Sequence, residues 1–247
     1  MAETLRREIQ IDPSIGAIEI KITAQARDED AVRLALDTAD IEAERREIWF
    51  FDTPELDLFD AGLVLRARLV HGGADDSTVK LRPVDPRTVD DHWKKTPGFE
   101  IELDAVGDDA ICSAKLSVDQ KRGEIADVAA GKRSIKSLFS KVQERLVEEY
   151  WHDEVDWHAL KAFGPVAARK WEFTPKGFDY EVTIEEWVLP DQSDLVEISI
   201  KAPPGEAASA SEGFLQQLRQ RGLDPEGAQQ TKTRAALRYF TTGQGIE

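Results

Sequence analysis

Residues 50–83 read FFDTPELDLFDAGLVLRARLVHGGADDSTVKLRP, and the alternation inside this stretch decides the architecture. In LVLRARLV, residues 63–70, Leu63, Leu65, Ala67 and Leu69 face one way and Arg66 and Arg68 the other. That is the two-residue period of a strand. HGGADD is a turn built from Gly and Asp. STVKLRP, residues 77–83, alternates again, with Val79 and Leu81 on one face and Lys80 and Arg82 on the opposite one. The pair reads as a hairpin with four cations on one side.

The same pattern extends outward in both directions. In IGAIEIKITA, residues 15–24, Ile18, Ile20 and Ile22 alternate with Glu19 and Lys21. EAERREIWFF (42–51), FEIELD (99–104), VAARKWEF (166–173), FDYEVTIEEWVL (178–189) and DLVEISIKA (194–202) read as further strands, eight in all. In the last, Val196, Ile198 and Ile200 oppose Glu197, Ser199 and Lys201. Residues 28–38 read as a helix with acids in its first turn and Val32, Leu34 and Leu36 as its apolar content. From about 108 to 162 the pattern is that of a mostly helical insert, with Ile135, Leu138, Phe139, Val142, Leu146 and Tyr150 at helical spacing. A helical C-terminal segment covers about 208–240, its first helix ended by Gly222.

Composition narrows the function. Among 247 residues, 32 Lys and Arg stand against 48 Asp and Glu, a formal charge of −16. A surface so acidic repels phosphate backbones, which disfavours generic nucleic-acid or anionic-membrane binding. Local basic clusters still suit a small anion. Cys112 is the sole cysteine, so neither an intrachain disulfide nor a Cys-rich zinc site is expected. The segment MAETLRREIQIDP lacks the apolar run of a signal peptide, and no window suits a membrane helix, so a cytoplasmic protein is expected. His71, His92, His152 and His158 are scattered, and the six tryptophans read as packing residues. Arg45 and Arg46 read as surface residues, and Lys94 and Lys95 as part of a solvated loop. No phosphate-binding loop or dinucleotide fingerprint occurs.

The charged strand faces admit two readings. One is a sheet with a solvated outer face. The other is a closed barrel with a polar interior. Lys21, Arg66, Arg68, Lys80, Arg82 and Lys201 recur on four strands at regular alternating positions, with Glu19, Glu100, Glu102 and Glu197 on the same type of face. Gathered on one concave surface, such groups suit a polyphosphate. Arg and Lys take its non-bridging oxygens. Carboxylates hold a hard cation, Mg²⁺ or Mn²⁺.

The block FFDTPELDLFDAGLVLRAR, residues 50–68, resembles the CYTH superfamily of triphosphate tunnel metalloenzymes. STVKLRP and FEIELD follow in the family's order, the first strand is similar to its Glu-x-Glu-x-Lys signature, and DLVEISIKA to its late Glu-x-Glu strand. RKWEF (169–173) and TKTRAAL (231–237) resemble its later basic elements. The resemblance spans about 15–240. It implies an α+β fold: one domain over 1–247, with a closed eight-stranded antiparallel tunnel and surrounding helices. Lys21, Arg66, Arg68, Lys80, Arg82, Arg169 and Lys232, with Lys201 and Arg234, are then phosphate ligands. Glu19 and Glu197 hold Mg²⁺ or Mn²⁺, and Glu100 or Glu102 places the attacking water.

Two departures stand out: Ala17 and Ser199 occupy positions where the family pattern has Glu. Glu185 or Glu181 on a neighbouring strand is placed to compensate. The implied function is metal-dependent hydrolysis of inorganic or nucleoside triphosphate. The alternatives are a catalytically inactive triphosphate or polyphosphate binder and, after it, an adenylyl cyclase. The helical insert suits a tunnel cap or a homodimer contact, which apolar spacing does not separate.

Overall fold

The computed structural model describes residues 12, 14–24, 29–38, 40–106, 109–151, 154–223 and 231–243. Its strands are β1 (Ile18–Ala24), β2 (Glu44–Asp52), β3 (Leu63–Val70), β4 (Asp75–Leu81), β5 (Phe99–Val106), β6 (Asp109–Gln120), β7 (Lys161–Phe173), β8 (Val182–Val188) and β9 (Asp194–Ala202). The helices are α1 (Glu29–Ala35), α2 (Asp57–Asp60), α3 (Asp91–Lys94), α4 (Glu124–Ala129), α5 (Lys141–Tyr150), α6 (Ala207–Gln220) and α7 (Lys232–Thr242), with a 3₁₀ turn at Ile135–Leu138.

The strands close into one barrel in the order β1-β5-β6-β4-β3-β2-β7-β8-β9. The expected eight-stranded antiparallel tunnel is therefore corrected twice. The described residues form nine strands, and the β1–β5 seam is parallel while the other pairs are antiparallel. The extra strand is β6, which falls inside the segment expected to be mostly helical. Its residues 114–120 pair with β4 and its residues 109–116 with β5. The helical part of that segment starts only at Glu124. Nor is it one helix. Ser140 and Gln143 form a reciprocal capping box that starts α5 afresh after the 3₁₀ turn.

The barrel is apolar outside and polar inside. Ile18, Ile20 and Ile22 of β1, Leu63 and Leu65 of β3, Ile101 and Leu103 of β5 and Ile198 and Ile200 of β9 lie in one large buried cluster. Helical residues complete it: Val32, Leu146, Val147, Phe214 and Leu218. Because side chains alternate along a strand, covering the outer face with helices sends every second residue inward. The segment expected as a helix over 28–38 is helical at Glu29–Ala35; Val32 and Leu36 are buried four residues apart, but Leu34 faces solvent at 73% exposure. Helix α5 lies on the outer face, where the buried Gln143 amide donates to the carbonyls of Ser77 (3.0 Å) and Leu116 (3.1 Å). No helix of the described residues is long and apolar enough to cross a membrane.

Part of the interior is apolar. Ile48 and Phe50 of β2, Val166 and Ala168 of β7 and Trp187 of β8 form a second buried cluster with Ala236 and Leu237 of α7. Helix α7 is thus seated against the inner wall, with its first turn beside the polar half of the interior.

Candidate functional site

The segment joining β2 to β3 is organised by one carboxylate. Asp52 is 3% exposed. It accepts backbone N–H bonds from Thr53 (2.7 Å), Leu58 (2.9 Å) and Phe59 (2.9 Å). Gly62 follows with φ +83°, and its carbonyl accepts from the Arg82 N–H at 2.7 Å. A Cβ at Gly62 meets the Arg82 carbonyl oxygen at 2.7 Å. Only glycine lets the chain pass this close with a left-handed backbone. The turn therefore delivers Arg66 and Arg68 on β3 beside Arg82 at the end of β4.

The inward faces line a cavity of about 640 Å³. Eleven Lys and Arg side chains face six carboxylates along its wall, a net positive interior in a chain of charge −16. Asp104 lies behind this wall with no exposed surface. Lys21 (3.0 Å), Lys80 (3.4 Å) and Arg82 (2.8 Å) converge on it. Burial pushes the Asp104 carboxyl up, but these three cations outweigh it and hold it well below the usual carboxylate range. Burial likewise lowers Lys21, yet Glu197, Glu19 and Asp104 hold its ammonium above the ordinary lysine value. Lys80 is lowered by burial, aided by Lys21 and Arg82.

Arg66 is the strongest sign of an anion site. Burial, together with neighbouring Arg68, pushes its guanidinium down to about 10. Among the described residues its buried Nε has no hydrogen-bond partner, and neither has one buried terminal nitrogen of Arg82. Buried donors left unmade cost about 1–3 kcal/mol each. A ligand oxygen in the cavity relieves that cost.

Lys21, Arg66, Arg68, Lys80, Arg82, Lys201, Lys232, Arg234, Glu19, Glu102, Glu185 and Glu197 all line the cavity. Their degrees of engagement differ. Lys201 is 60% exposed at the rim. Arg234 stacks over the Phe59 ring, 6.0 Å from its centre. Glu102 is held by Lys115 at 2.6 Å, and this pairing outweighs burial to lower its pKa. Glu100 is 60% exposed, lies 3.1 Å from Lys115, and lines a smaller pocket of about 340 Å³ with Ala17.

Arg169 is absent from the cavity wall. It lies on the other face of β7, where it forks onto Glu186 and stacks on Trp171. The β7 residues that line the cavity are Lys170 and Glu172. Glu181 is exposed and precedes β8. Arg46, expected at the surface, lines the cavity because Arg46, Ile48 and Phe50 share the inner face of β2. Asp104 and Lys115 were also missed. Asp104 merely continues the Glu100–Glu102 alternation, and Lys115 alternates with Cys112, Ala114 and Leu116. Cys112 is half-buried, and burial raises its thiol to about 11.

The carboxylates do not fit a resident divalent ion. Among the described residues no three His, Cys, Asp or Glu side chains cluster as a metal site. Glu185 and Glu197 both bind the Lys232 ammonium. Glu19 is held by Lys21 (3.2 Å) and by the Ser199 hydroxyl, which donates to it at 3.2 Å. Ser199 thus supplies a neutral donor where a carboxylate was expected.

No protein-family model and no curated protein matches the sequence. Solved structures do. A candidate adenylyl cyclase from Hippeastrum, HpAC1, described as having a dominant triphosphatase activity, superposes with a TM-score of 0.61 at 17% identity. The match covers 92% of this chain and 96% of that one. A candidate adenylate cyclase from Bacillus halodurans gives 0.59 at 12% identity over 89% of this chain and 97% of its own. At such identities the likeness is one of fold.

Proposed function

We propose that this tunnel binds linear triphosphates and hydrolyses their terminal phosphoanhydride bond. The observation that carries the reading is Arg66, a half-buried arginine whose buried Nε has no partner among the described residues, on a cavity wall where cations outnumber carboxylates. A chain of phosphates satisfies several such donors at once, and Arg offers the fork that matches it. The Hippeastrum protein's triphosphatase activity supports the choice of ligand.

In phosphoryl transfer the protein mainly positions groups and stabilises charge. Arg66, Arg68, Lys80 and Arg82 hold the non-bridging oxygens. Water attacks the terminal phosphorus, the bridging P–O bond breaks, and its electron pair leaves with the diphosphate. Glu102, kept ionised by Lys115, accepts a hydrogen bond from that water and orients it. Its lowered pKa makes it a poor proton acceptor, so the proton leaves to a phosphate oxygen or to solvent. Any Mg²⁺ or Mn²⁺ enters as the counter-ion of the triphosphate rather than from a site built in the wall. A non-catalytic binder is the second reading, favoured by Ala17 and Ser199.

The test is phosphate release from inorganic triphosphate, with an Arg66→Ala, Arg68→Ala double variant as control. We expect turnover in the parent and none in the variant. Binding without turnover establishes the second reading. Absence of both refutes the site.

A further inference from the structure

We propose that the Lys232 ammonium takes the place of a divalent cation between Glu185 and Glu197, so that the tunnel binds triphosphate free of metal. Glu185 of β8 and Glu197 of β9 stand directly opposite in register. Like charges in that position repel unless something lies between them. Here Lys232 lies between them, bonded to Glu185 and 2.9 Å from Glu197. The other Glu185 oxygen accepts the Trp187 indole N–H at 3.0 Å. The Trp187 ring faces the ammonium at 5.4 Å, completing a cage of two carboxylates and one aromatic face.

The charges balance without a metal. Two carboxylates and one ammonium leave a single negative charge. Arg46 lies 3.9 Å from Glu185, and the Lys21 ammonium is attracted to Glu197. Lys232 is also delivered firmly, because Ala236 and Leu237 anchor α7 in the interior apolar cluster. The substitution is consistent with the rest of the wall. Ala17 and Ser199 withhold the extra carboxylates that would otherwise call for a second or more highly charged cation. Meanwhile the unpartnered donors of Arg66 and Arg82 remain for phosphate.

The metal half of this inference stands on the structure alone, and the phosphate half rests on the function proposed above. The experiment separates them. Mn²⁺ uptake is followed by electron paramagnetic resonance on the full chain without triphosphate, for the parent, Lys232→Met and Lys232→Arg. The parent and Lys232→Arg should leave Mn²⁺ free at concentrations that saturate Lys232→Met, which should take up one ion. Uptake by the parent overturns the proposal, and needs no variant to fold. So does a folded Lys232→Met that takes up none. Inorganic triphosphate is then titrated calorimetrically into the parent with chelator or with Mn²⁺. Affinities within about threefold, under 1 kcal/mol, support the proposal. Loss of binding in chelator alone overturns it. Loss under both conditions refutes the triphosphate reading instead, while the Mn²⁺ result still decides the role of Lys232.

Discussion

Replacing Asp104 by asparagine should destabilise the fold and tighten triphosphate binding together. The carboxylate has no exposed surface and neutralises three cations within 3.4 Å. Asparagine keeps the size and loses the charge. Removing one partner of a buried ion pair costs about 3–5 kcal/mol. For a chain of this length that lowers Tm by roughly 10 °C. Lys80, already held below the ordinary lysine pKa by burial, sheds its proton most readily and limits the loss.

The same deletion removes a negative charge that competes with phosphate. At a separation of roughly 8 Å and an effective dielectric near 20, that is worth about 2 kcal/mol, or some 30-fold in affinity. Saturating triphosphate should therefore recover about 2 kcal/mol more in Asp104→Asn than in the parent. The assay is urea unfolding with and without triphosphate, at several pH values. Asp104 has a depressed folded-state pKa, so its contribution is present above about pH 4 and is lost as pH falls through the folded value. The difference between parent and variant should shrink accordingly in acid. A variant as stable as the parent at pH 7 would refute the electrostatic account of this cluster. So would one that triphosphate stabilises less.

Arg66→Met should act in the opposite sense. It removes a half-buried arginine whose buried Nε is orphaned, so urea unfolding should show a gain of about 1–2 kcal/mol. Calorimetry should show triphosphate binding weakened by at least about 100-fold. A destabilised variant that still binds would mean that Arg66 serves the fold and not the ligand. Gly62→Ala places a methyl group 2.7 Å from the Arg82 carbonyl oxygen at a left-handed φ. It should cost about 1–3 kcal/mol in thermal unfolding, and an unchanged Tm would show that the β2–β3 turn gives way easily.

How far the fold could be read from the chain depended on how strongly each strand alternates. β3 and β4 carry Leu or Val against Arg or Lys, and both their existence and their inner faces were legible. β6 reads DAICSAKLSVDQ. Its outer residues, Cys112, Ala114 and Leu116, alternate with Ile111, Ser113, Lys115 and Ser117. Ala, Ser, Lys and Asp have weak strand preference, so this alternation was faint beside the helical spacing that follows. Strand identity here is imposed from outside. β6 fills the space between β4 and β5, where Thr78 and Ser117 meet at 3.0 Å and the small Ser113 side chain is buried.

The inner wall was legible wherever parity could be counted from a clear apolar partner. On β7 it could not. Both Arg169 and Lys170 are cationic, and the flanking Trp171 and Glu172 allow either assignment until the outer cluster claims Trp171. Arg46 was hidden for the same reason, beside Arg45 on a strand whose aromatic end fills both faces.

What no local pattern encodes is pairing across the barrel. Lys232 and Glu185 lie 47 residues apart, and Asp104 meets Lys80 and Arg82 only because β5 and β4 flank β6. These pairings change the chemistry. As isolated residues, the wall reads as cations for phosphate and carboxylates for metal. Folded, the two sets largely bind each other, so a triphosphate must compete with carboxylates already in place. Its net gain is greatest at donors that have no protein acceptor, and Arg66 Nε and the free terminal nitrogen of Arg82 are such donors. The function proposed above predicts selectivity for a phosphate chain over a single small anion from that arrangement. On that reading one anion satisfies one orphaned donor and still meets the resident carboxylates, whereas a chain reaches both orphaned donors at once.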